Sequence, residues 1–520
     1  MTLQASGAHL LLSSAYAMGV RVCFANPGTT ELAIVRALDN VEGIRPILAL
    51  FEGVCTGAAD GYGRVTGMPA LTLLHLGPGF ANGLANLHNA RRAHTPIINI
   101  IGDHATWHLR YDAPLTSDIS RLAMWVSSQV IQMRATEEIP RSIRMAMEDA
   151  CKPPGSPVTL IAPSDIMEAP AVAAMARERD PFRRAALAEA SSGKVSAAAH
   201  AAAKGNAVLL LGGNALGEAG QHAAARIAAA TGAKLVMESY PAIASCGGGL
   251  PRVERLAYFP QDVLSQLGSA TVVLAGARAP VSYFGYPGEP SELVAPERLV
   301  ELSQPGEDAA RALEHLAELV PARAVQPPPS TESEQLAQGI ALTPAHIAEG
   351  VVAEIAEDTI VSIEGSTCGG PYLQRAHRAR RHRVMTNTGG AIGQGIPCGL
   401  GAAIAAPASR VVCLQSDGSA QYTLQALWTL AREALDVTVI ICANHRYGIL
   451  QTELRRAGAL IGGRASAHMT RLDSPRVDWV SLARGYGVPA LRVDAAEAFL
   501  SALQKSLRTP GPYLIECELP

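Results

Sequence analysis

The chain has 520 residues, a formal net charge of -3 and a hydrophobic fraction of 48%. That length is too great for one hydrophobic core and predicts two or three domains. The near-neutral charge argues against a nucleic-acid partner, which needs clustered Lys and Arg. The densest basic run, residues 375–383, is short, and we interpret it as a solvated or interface face rather than a polyanion site.

The nine cysteines form neither a CxxC pair nor a Cys/His ladder, so we expect no structural zinc site. Cys413 and Cys442 lie inside apolar runs, which is typical of small buried thiols in a reducing compartment. Residues 1–20 lack a basic n-region, and no apolar run reaches membrane-spanning length uninterrupted. We therefore expect a cytoplasmic protein with no membrane partner.

Three blocks of alternating strands and helices follow one another along the chain. The first block, residues 1–170, contains the predicted strands VRVCFA, ALTLLHL, PIINIIG and PVTLIAP. The second, residues 186–325, contains NAVLLLGG, AKLVMES and ATVVLAGA, and a Pro/Ser-rich linker is predicted at 325–335. The third, residues 342–520, contains TIVSIEG, RVVCLQSDG, VTVIICAN and PYLIECE. This alternation predicts an α/β fold of three doubly wound, parallel-sheet domains.

Two polar residues of the third block follow neighbouring strands. Asp417 comes just after RVVCLQ, and Asn444 comes just after VTVIICA, with an amphipathic helix predicted between them. Ligands of parallel sheets bind at the carboxyl ends of the strands, so both side chains are expected on one edge. Gly418 and Ser419 precede the helix, whose N-terminus offers N–H groups to an anion. Taken singly, Asp417 is an N-cap and Asn444 a turn residue. Together they favour Mg²⁺ bound to a diphosphate.

The segment from Ser416 to Asn444 resembles the GDG…NN motif of thiamin diphosphate (ThDP) enzymes. The resemblance implies that Asp417, Asn444 and the carbonyl of Arg446 hold Mg²⁺. It also implies cofactor contacts at Gly418, Ser419, Tyr447, Gly448 and Ile449. Ser416 and Ala443 depart from the motif, but neither departure removes a metal ligand.

Upstream, residues 387–406 (NTGGAIGQGIPCGLGAAIAA) also resemble the family. The resemblance implies that Ile392 props the two cofactor rings into a V shape. It implies that the carbonyl of Gly390 accepts a hydrogen bond from the aminopyrimidine. Ser366 and Thr367, in IEGST, fall where the family contacts the cofactor near its diphosphate. The alternative for 387–406 is a Gly-rich loop that leads into a buried helix.

Glu52 lies at the end of an apolar strand and the start of a helix, where the helix dipole favours a carboxylate. Its surroundings, residues 49–67 (ALFEGVCTGAADGYGRVTG), resemble the family segment that carries the activating Glu. In that family the carboxylate bonds N1′ of the aminopyrimidine and so promotes loss of the thiazolium C2 proton. The Glu and the diphosphate site come from different subunits, so the resemblance implies a homodimer at least and favours a homotetramer.

Two further positions of the first block are similar to benzoylformate decarboxylase. Thr29 aligns with a Ser that binds the substrate carboxylate, although it is equally placed to cap the helix that follows. His75 aligns with an active-site His, which implies proton transfer, whereas a lone His is more often structural. His104 and His108, at another strand end, are candidates for lining the pocket.

The middle block lacks the second catalytic His of benzoylformate decarboxylase, because Phe284 or Gly285 stands at that position. The chain is shorter than typical acetolactate synthase catalytic subunits, and Glu453 sits near the position where those enzymes carry a Trp. We therefore do not expect FAD. The strings LFEG, LHLGPG, GDHAT and FGYPG are similar to acetolactate synthase large-subunit homologues, and the resemblance spans essentially the whole chain.

The resemblance implies ThDP- and Mg²⁺-dependent decarboxylation of a 2-oxo acid. The product is an aldehyde, or an acyloin or 2-hydroxy-2-keto acid formed with an aldehyde or keto acceptor. Ile449 and Leu450, just past the metal loop, are expected to shape the acceptor pocket. One alternative is a benzoylformate decarboxylase-like enzyme for aromatic 2-oxo acids. Another is a catalytically silent ThDP-binding paralogue, suggested by Ser416 and Ala443.

Overall fold

The structure is a computed structural model that describes residues 5–171, 182–325, 339–458 and 463–520. Across those residues the chain forms three α/β units, each built on a parallel sheet, so the predicted fold class is confirmed. All but the first residue of the predicted linker at 325–335 lies outside the described residues. The three domain boundaries given above stay predictions. No helix in the described ranges is both long and apolar enough to cross a membrane.

The first sheet has six parallel strands in the part of the chain that the structure describes. They are β1 (Val22–Asn26), β2 (Arg45–Leu48), β3 (Ala70–Leu74), β4 (Ile97–Asp103), β5 (Gln129–Gln132) and β6 (Pro157–Pro163). Their order is β2-β1-β3-β4-β6-β5. The helices of this unit are α1 (Gly7–Ala17), α2 (Leu32–Leu38), α3 (Glu52–Thr66), α4 (Leu76–Arg92), α5 (Ile119–Met124), α6 (Ile139–Cys151) and α7 (Ser164–Glu168). β4 and β6 are buried along their whole length, as expected of strands covered on both faces.

The second sheet also contains only parallel pairs among its described strands. These strands are β7 (Ala207–Leu211), β8 (Lys234–Met237), β10 (Glu254–Arg255), β11 (Thr271–Ala275) and β12 (Leu299–Ser303). Their order is β10-β8-β7-β11-β12. The helices that cover it are α8 (Ser192–Ala203), α9 (Glu218–Thr231), α10 (Pro260–Leu267) and α11 (Ala309–Leu319).

The third sheet contains the strand ends that the sequence marks as functional. Its described strands are β9 (Ala244–Cys246), β13 (Thr359–Glu364), β14 (His382–Thr386), β15 (Val411–Ser416), β16 (Val437–Ala443), β17 (Ala490–Val493) and β18 (Tyr513–Glu518). Their order is β17-β18-β16-β15-β13-β14-β9. The helices are α12 (Pro344–Glu354), α13 (Ser366–Arg375), α14 (Gly395–Ala405), α15 (Asp417–Ala420), α16 (Ala426–Arg432), α17 (Gly448–Arg456), α18 (Arg464–Thr470), α19 (Trp479–Gly485) and α20 (Ala496–Arg508). β9 comes from the middle block and pairs antiparallel with β14, so the middle and third blocks share this sheet.

Two details correct the sequence analysis. The helix predicted between Asp417 and Asn444 is split into α15 and α16, so Gly418 and Ser419 lie inside a short helix rather than before a long one. The Thr423 hydroxyl, in the intervening turn, donates to the carbonyl of Gly393 at 2.8 Å and holds this break in place.

The second correction concerns Cys442, which the sequence placed among small free thiols. Cys442, near the end of β16, forms a disulfide with Cys368 in the first turn of α13. The Cα atoms of the two cysteines are 6.7 Å apart. The other seven cysteines, including Cys413, are free thiols.

The first and third blocks pack through α3 and α14. A Cβ on Gly61 would overlap the carbonyl of Cys398, and a Cβ on Gly401 would overlap the carbonyl of Ala58. Glycine is therefore required at both crossings for the two backbones to approach this closely. The buried Asp60–Arg64 pair completes the interface, since Arg64 also donates to the carbonyl of Thr386 at 2.7 Å.

Candidate cofactor cleft

A cleft of about 1360 Å³ lies between the middle and third units. Its walls contain every cofactor and metal residue that the sequence predicted in the third block. These are Ser366, Thr367, Gly390, Ile392, Asp417, Gly418, Ser419, Asn444, Arg446, Tyr447, Gly448 and Ile449. Because these residues follow the ends of parallel strands, the fold brings them together in one cleft. The first and last of them, Ser366 and Ile449, are 83 positions apart in the chain.

Asp417 begins α15 at the carboxyl end of β15. Its two carboxylate oxygens accept hydrogen bonds from the amides of Gly418 at 2.9 Å and His445 at 2.8 Å. Burial raises the pKa of the Asp417 carboxyl, and the two amide bonds act in the opposite direction. Ser416, not Asp417, occupies the cap position of α15, so the N-cap interpretation of Asp417 is wrong.

Asn444 and Arg446 follow β16 on the same edge of the sheet. Asn444 accepts from the amide of Arg446 through Oδ1 at 3.2 Å, as expected of a turn residue, and donates through Nδ2 to Thr367 at 3.1 Å. The carbonyl of Arg446 accepts from the amide of Gly448 at 3.0 Å. Each of these oxygens keeps a second lone pair for a ligand.

The loop that carries Gly390 and Ile392 is organised by a buried carboxyl that the sequence analysis did not select. Glu364, the last residue of β13, accepts from the amides of Gly393 at 2.7 Å and Gly395 at 2.6 Å. Burial raises the pKa of Glu364, while these amides and its side-chain donors oppose the rise. The signal in the sequence was its position, two residues before Ser366 at the end of an apolar strand.

The same loop is attached to the first unit of its own chain. Asn89, on α4, bonds both the amide and the carbonyl of Ala391, at 3.1 and 2.8 Å. His88 lies 3.1 Å from the carbonyl of Gly389 and stacks on Trp125 with ring centroids 5.6 Å apart. The loop is therefore fixed from both blocks.

Glu52 does not line the cleft of its own chain. It starts α3, its carboxylate is buried, and Asn82 donates to it at 3.0 Å. Gly79 lies against this carboxylate, and a Cβ there would come within 2.9 Å of Glu52 Oε1. The carboxylate predicted to activate the cofactor and the predicted diphosphate site thus lie in different places on one chain.

His75 and Thr29 lie in the first unit and also outside the cleft. Nδ1 of His75 is 2.7 Å from Oε2 of Glu31, a second residue that the sequence analysis did not select. The capping interpretation of Thr29 is wrong, because Gly28 holds the cap position and Glu31 accepts from its amide at 2.8 Å. Thr29 is exposed.

His104 and His108 lie together in the loop after β4, with ring centroids 5.5 Å apart. Neither belongs to the cleft wall. Nε2 of His104 is buried without a hydrogen-bond partner. This loop packs near the start of α4, since a Cβ on Gly77 would overlap Ser117. The two histidines therefore lie in the first unit, outside the cleft.

The middle unit contributes an aromatic wall to the cleft, which we define as Tyr240, Tyr258, Tyr283 and Phe284. The rings of Tyr258 and Tyr283 are 5.1 Å apart, and those of Tyr283 and Phe284 are 5.2 Å apart. A Cβ on Gly390 would overlap the hydroxyl of Tyr283, so this ring reaches the predicted cofactor loop. Phe284 and Gly285 are the two residues that the sequence aligns with the second catalytic His of benzoylformate decarboxylase. Phe284 lines the cleft, whereas Gly285 does not.

Helix α17 lines the cleft next to the middle unit. Ile449 and Leu450, which the sequence predicts to shape the acceptor pocket, lie along the cleft, and so does Glu453. Glu453 accepts a hydrogen bond from the hydroxyl of Tyr286 at 2.9 Å, which ties α17 to the middle unit. The cleft thus has α17, which presents the apolar Ile449 and Leu450 together with polar side chains, next to the aromatic residues of the middle unit.

The donor set fits a Mg²⁺–diphosphate group. Asp417, the Asn444 amide oxygen and the Arg446 carbonyl are hard oxygen donors in one wall of the cleft, which is the ligand type that Mg²⁺ prefers. Gly418 leaves room for a phosphate beside them, because a Cβ there would come within 2.6 Å of the Tyr447 ring. The donors match the metal that the sequence predicts.

Sequence comparisons identify the family. Residues 5–124 match the N-terminal TPP binding domain of thiamine pyrophosphate enzymes, and residues 367–517 match the C-terminal TPP binding domain. A Mycobacterium tuberculosis protein, provisionally named acetolactate synthase large subunit IlvX, is 46% identical over 99% of both chains. Benzoylformate decarboxylase of Pseudomonas aeruginosa is 29% identical over 96% of both chains.

Solved structures show the same fold. A thiamine diphosphate-dependent 4-hydroxybenzoylformate decarboxylase of Rhodococcus jostii RHA1 superposes with a TM-score of 0.86 at 24% identity, covering 99% of both chains. Benzoylformate decarboxylase from Polynucleobacter necessarius gives a TM-score of 0.80 at 21% identity, again over 99% of both chains. With the two binding domains and the full-length relative, these results show that the chain belongs to the thiamine pyrophosphate enzyme family, of the acetolactate synthase and benzoylformate decarboxylase type.

Proposed function

We propose that the protein is a ThDP- and Mg²⁺-dependent enzyme that decarboxylates a 2-oxo acid and releases an aldehyde or joins the product to a second carbonyl compound. The observation that carries this proposal is the meeting of Asp417, Asn444 and Arg446 with Gly390 and Ile392 in one cleft. We propose that the enzyme acts in the cytoplasm. We assign residues 1–170 to the pyrimidine-binding domain, 186–325 to the middle domain and 342–520 to the diphosphate-binding domain. FAD is not part of the proposal.

Bound ThDP supplies the nucleophilic carbon and the electron sink for loss of CO₂. Asp417, Asn444 and the Arg446 carbonyl would hold its Mg²⁺, and Ser366, Thr367 and Gly418 would surround the diphosphate. Glu52 would hold a proton at the pyrimidine nitrogen. This role suits a buried carboxylate that Asn82 fixes in one orientation. Ile392 would support the bent cofactor, and the Gly390 carbonyl would orient the aminopyrimidine.

His75 and Thr29 complete the reacting half of the proposed site. His75 is positioned by Glu31 for proton transfer to or from the substrate, with part of its ring reaching solvent. Thr29 has an exposed side chain that is suited to binding the substrate carboxylate. Ile449, Leu450 and the aromatic wall would exclude water from the reaction.

The site requires two copies of the chain. Among the residues that the structure describes, none from the first unit lines the cleft, although the proposed activating group Glu52 belongs to that unit. The first unit also exposes large apolar side chains, including Leu50, Trp107 (66% exposed), Met124 (63% exposed) and Trp125. Such a surface is typical of a protein interface. We therefore propose a homodimer in which Glu52 of each chain serves the cleft of the other, with a homotetramer as the larger assembly.

A second candidate, an enzyme for aromatic 2-oxo acids, is favoured by the aromatic wall. The aromatic wall, joined by Phe259 of the same unit, lines the cleft, and Tyr283 reaches the Gly390 loop. Aromatic rings pack favourably against one another edge-to-face or offset, so an aryl substrate would be stabilised there. This candidate shares every proposed cofactor residue with the first and differs in the substrate alone.

The test is CO₂ release by the purified protein with ThDP and Mg²⁺, offered pyruvate, 2-oxobutyrate and benzoylformate. Glu52→Gln is the control, and it should abolish release without loss of fold. Release from benzoylformate alone would select the aromatic candidate, and product analysis would separate aldehyde from acyloin. Bound ThDP without release from any substrate would favour the silent paralogue and contradict the proposed function.

A further inference from the structure

The disulfide between Cys368 and Cys442 lies directly beneath the proposed diphosphate site. Cys368 follows Thr367 in the first turn of α13, and Cys442 precedes Asn444 by two residues at the end of β16. Thr367 and Asn444 line the cleft, whereas neither cysteine does. The sulfur atoms are therefore under the wall that would contact the metal and the diphosphate.

The bond joins two segments that the sheet does not pair. β15 lies between β13, which precedes α13, and β16, so no backbone ladder connects the two segments. Besides the disulfide, the hydrogen bond from Asn444 to Thr367, at 3.1 Å, links them. A single part-buried side-chain hydrogen bond holds two loops weakly, because its net contribution to stability is small. The disulfide is thus the strong link across this part of the cleft.

We propose that Cys368 and Cys442 form a reversible thiol–disulfide site whose oxidised state sets the affinity of the cleft for ThDP and Mg²⁺. The proposal rests on the proposed function, since it takes the cleft as the cofactor site. With the bond formed, Thr367, Asp417 and Asn444 line one cleft together, so the oxidised chain is the preorganised state. Preorganised sites bind more tightly because less ordering is left to occur on binding.

The chemical step is thiol–disulfide exchange with a dithiol reductant. A thiolate of the reductant attacks one sulfur of the Cys368–Cys442 bond and forms a mixed disulfide. The second thiol of the reductant then displaces the remaining cysteine sulfur. Two electrons and two protons pass to the enzyme, and the products are two cysteine thiols and the oxidised reductant. Both cysteines are buried beneath the cleft wall, so this wall must open locally before the reductant reaches them, and bound ThDP is expected to slow that opening.

The first experiment counts thiols. Enzyme purified in air is denatured, alkylated and weighed by mass spectrometry, with and without prior reduction by dithiothreitol. The inference expects seven alkylated cysteines in the air-purified chain and nine after reduction, with Cys368 and Cys442 as the difference. Nine alkylated cysteines in both samples would overturn it and leave the proposed function unaffected.

The second experiment measures ThDP binding at fixed Mg²⁺ by calorimetry. Reduction is expected to weaken ThDP binding about fivefold, which is a modest loss of preorganisation. The double variant Cys368→Ser, Cys442→Ser should bind ThDP as weakly as the reduced enzyme does, and dithiothreitol should not change its affinity. The matched control is Cys151→Ser, which removes a free thiol of the first unit, outside the cleft, and should behave as wild type.

The outcomes separate the two proposals. Equal ThDP affinity of the oxidised and reduced wild-type enzyme would overturn only the proposed link between the disulfide and ThDP binding. No ThDP binding in either state would overturn the coupling together with the proposed function. Slower reduction in the presence of ThDP and Mg²⁺ supports the location of the bond, and this readout needs no variant and no turnover.

Discussion

Glu31 Oε2 lies 2.7 Å from Nδ1 of His75, although 44 residues separate the two in the chain. Glu31 is fully buried and also accepts from the Gly28 amide and the Thr30 hydroxyl. A carboxylate only accepts hydrogen bonds, so it fixes the His75 proton on Nδ1 and leaves Nε2 available to a ligand. Glu31 is therefore a positioning residue for His75.

Glu31→Gln should lower kcat about tenfold and change KM less, because a carboxamide can either donate to or accept from Nδ1 and no longer fixes the tautomer. Steady-state kinetics give the kcat and KM values, and ¹⁵N NMR of histidine-labelled enzyme reads the tautomer. Glu42→Gln, at an exposed position nearby in the chain, is the control. An unchanged tautomer with unchanged kcat would contradict the positioning role.

Asp417→Asn should weaken ThDP binding in the presence of Mg²⁺ by about 100-fold, because the amide removes the negative charge from the proposed metal ligand set. Calorimetry with and without Mg²⁺ measures the loss. Asp262→Asn is the matched control, since Asp262 lines the same cleft from α10 outside the proposed metal site. Equal losses in the two variants would show a general charge effect rather than a metal ligand.

Stability should depend on pH through Glu238, whose carboxyl pKa burial raises to about 7. The folded state then keeps a proton that the unfolded chain loses near pH 4.5, so the free energy of unfolding falls as pH rises from about 4.5 to 7. Glu238→Gln should raise the free energy of unfolding at pH 8 by about 2 kcal/mol and leave it nearly unchanged at pH 4. Urea unfolding at both pH values measures this. An equal change in the free energy of unfolding at the two pH values would show that titration of Glu238 does not cause the pH dependence.

Glu364→Ala should destabilise the fold by roughly 3 kcal/mol, because the buried amides of Gly393 and Gly395 lose their acceptor. It should also weaken ThDP binding, since Gly390 and Ile392 belong to the same loop. Denaturant unfolding and cofactor titration measure the two effects separately. Glu364→Gln, which keeps an oxygen acceptor, is expected to recover part of both losses. Normal cofactor affinity in a destabilised Glu364→Ala would limit Glu364 to a structural role.

Mixed dimers test the shared site. Glu52→Gln and Asp417→Asn should each be inactive alone, but a heterodimer of the two has one cleft with both changes and one with neither. Co-expression with two affinity tags should therefore recover about half of the wild-type activity per heterodimer. A Glu52→Gln, Asp417→Asn double variant paired with wild type is the matched control. An inactive Glu52→Gln/Asp417→Asn heterodimer would contradict a site formed between chains.

The cleft could be predicted in part because its residues follow buried strands. Asp417 and Asn444 end β15 and β16, and alternation of strands and helices is enough to place both at one edge. Tyr283 could not be found this way, because it lies in a loop outside any helix or strand, where periodicity gives no signal. Glu31 was missed because its partner, His75, comes from another strand end.

Long-range pairings were the other limit. No spacing rule connects Cys368 with Cys442, 74 residues apart, and the apolar run around Cys442 favoured a free thiol. The short strand β9 looked like part of the middle block, yet it pairs with β14 because its three residues lie at the open edge of the third sheet. The edge strand β5 was also missed, since four residues are too few to show a pattern.

The glycine crossing of α3 and α14 has a mechanical consequence. Glu52 begins α3, and the loop with Gly390 and Ile392 leads into α14. Backbones in direct contact at Gly61 and Gly401 transmit displacement without slack, because no side chain lies between them to repack. If Glu52 of a chain serves one cleft and the Gly390 loop of the same chain belongs to another, α3 and α14 form a rigid connection between two reaction centres. A displacement at one centre would then be transmitted to the other through this helix pair.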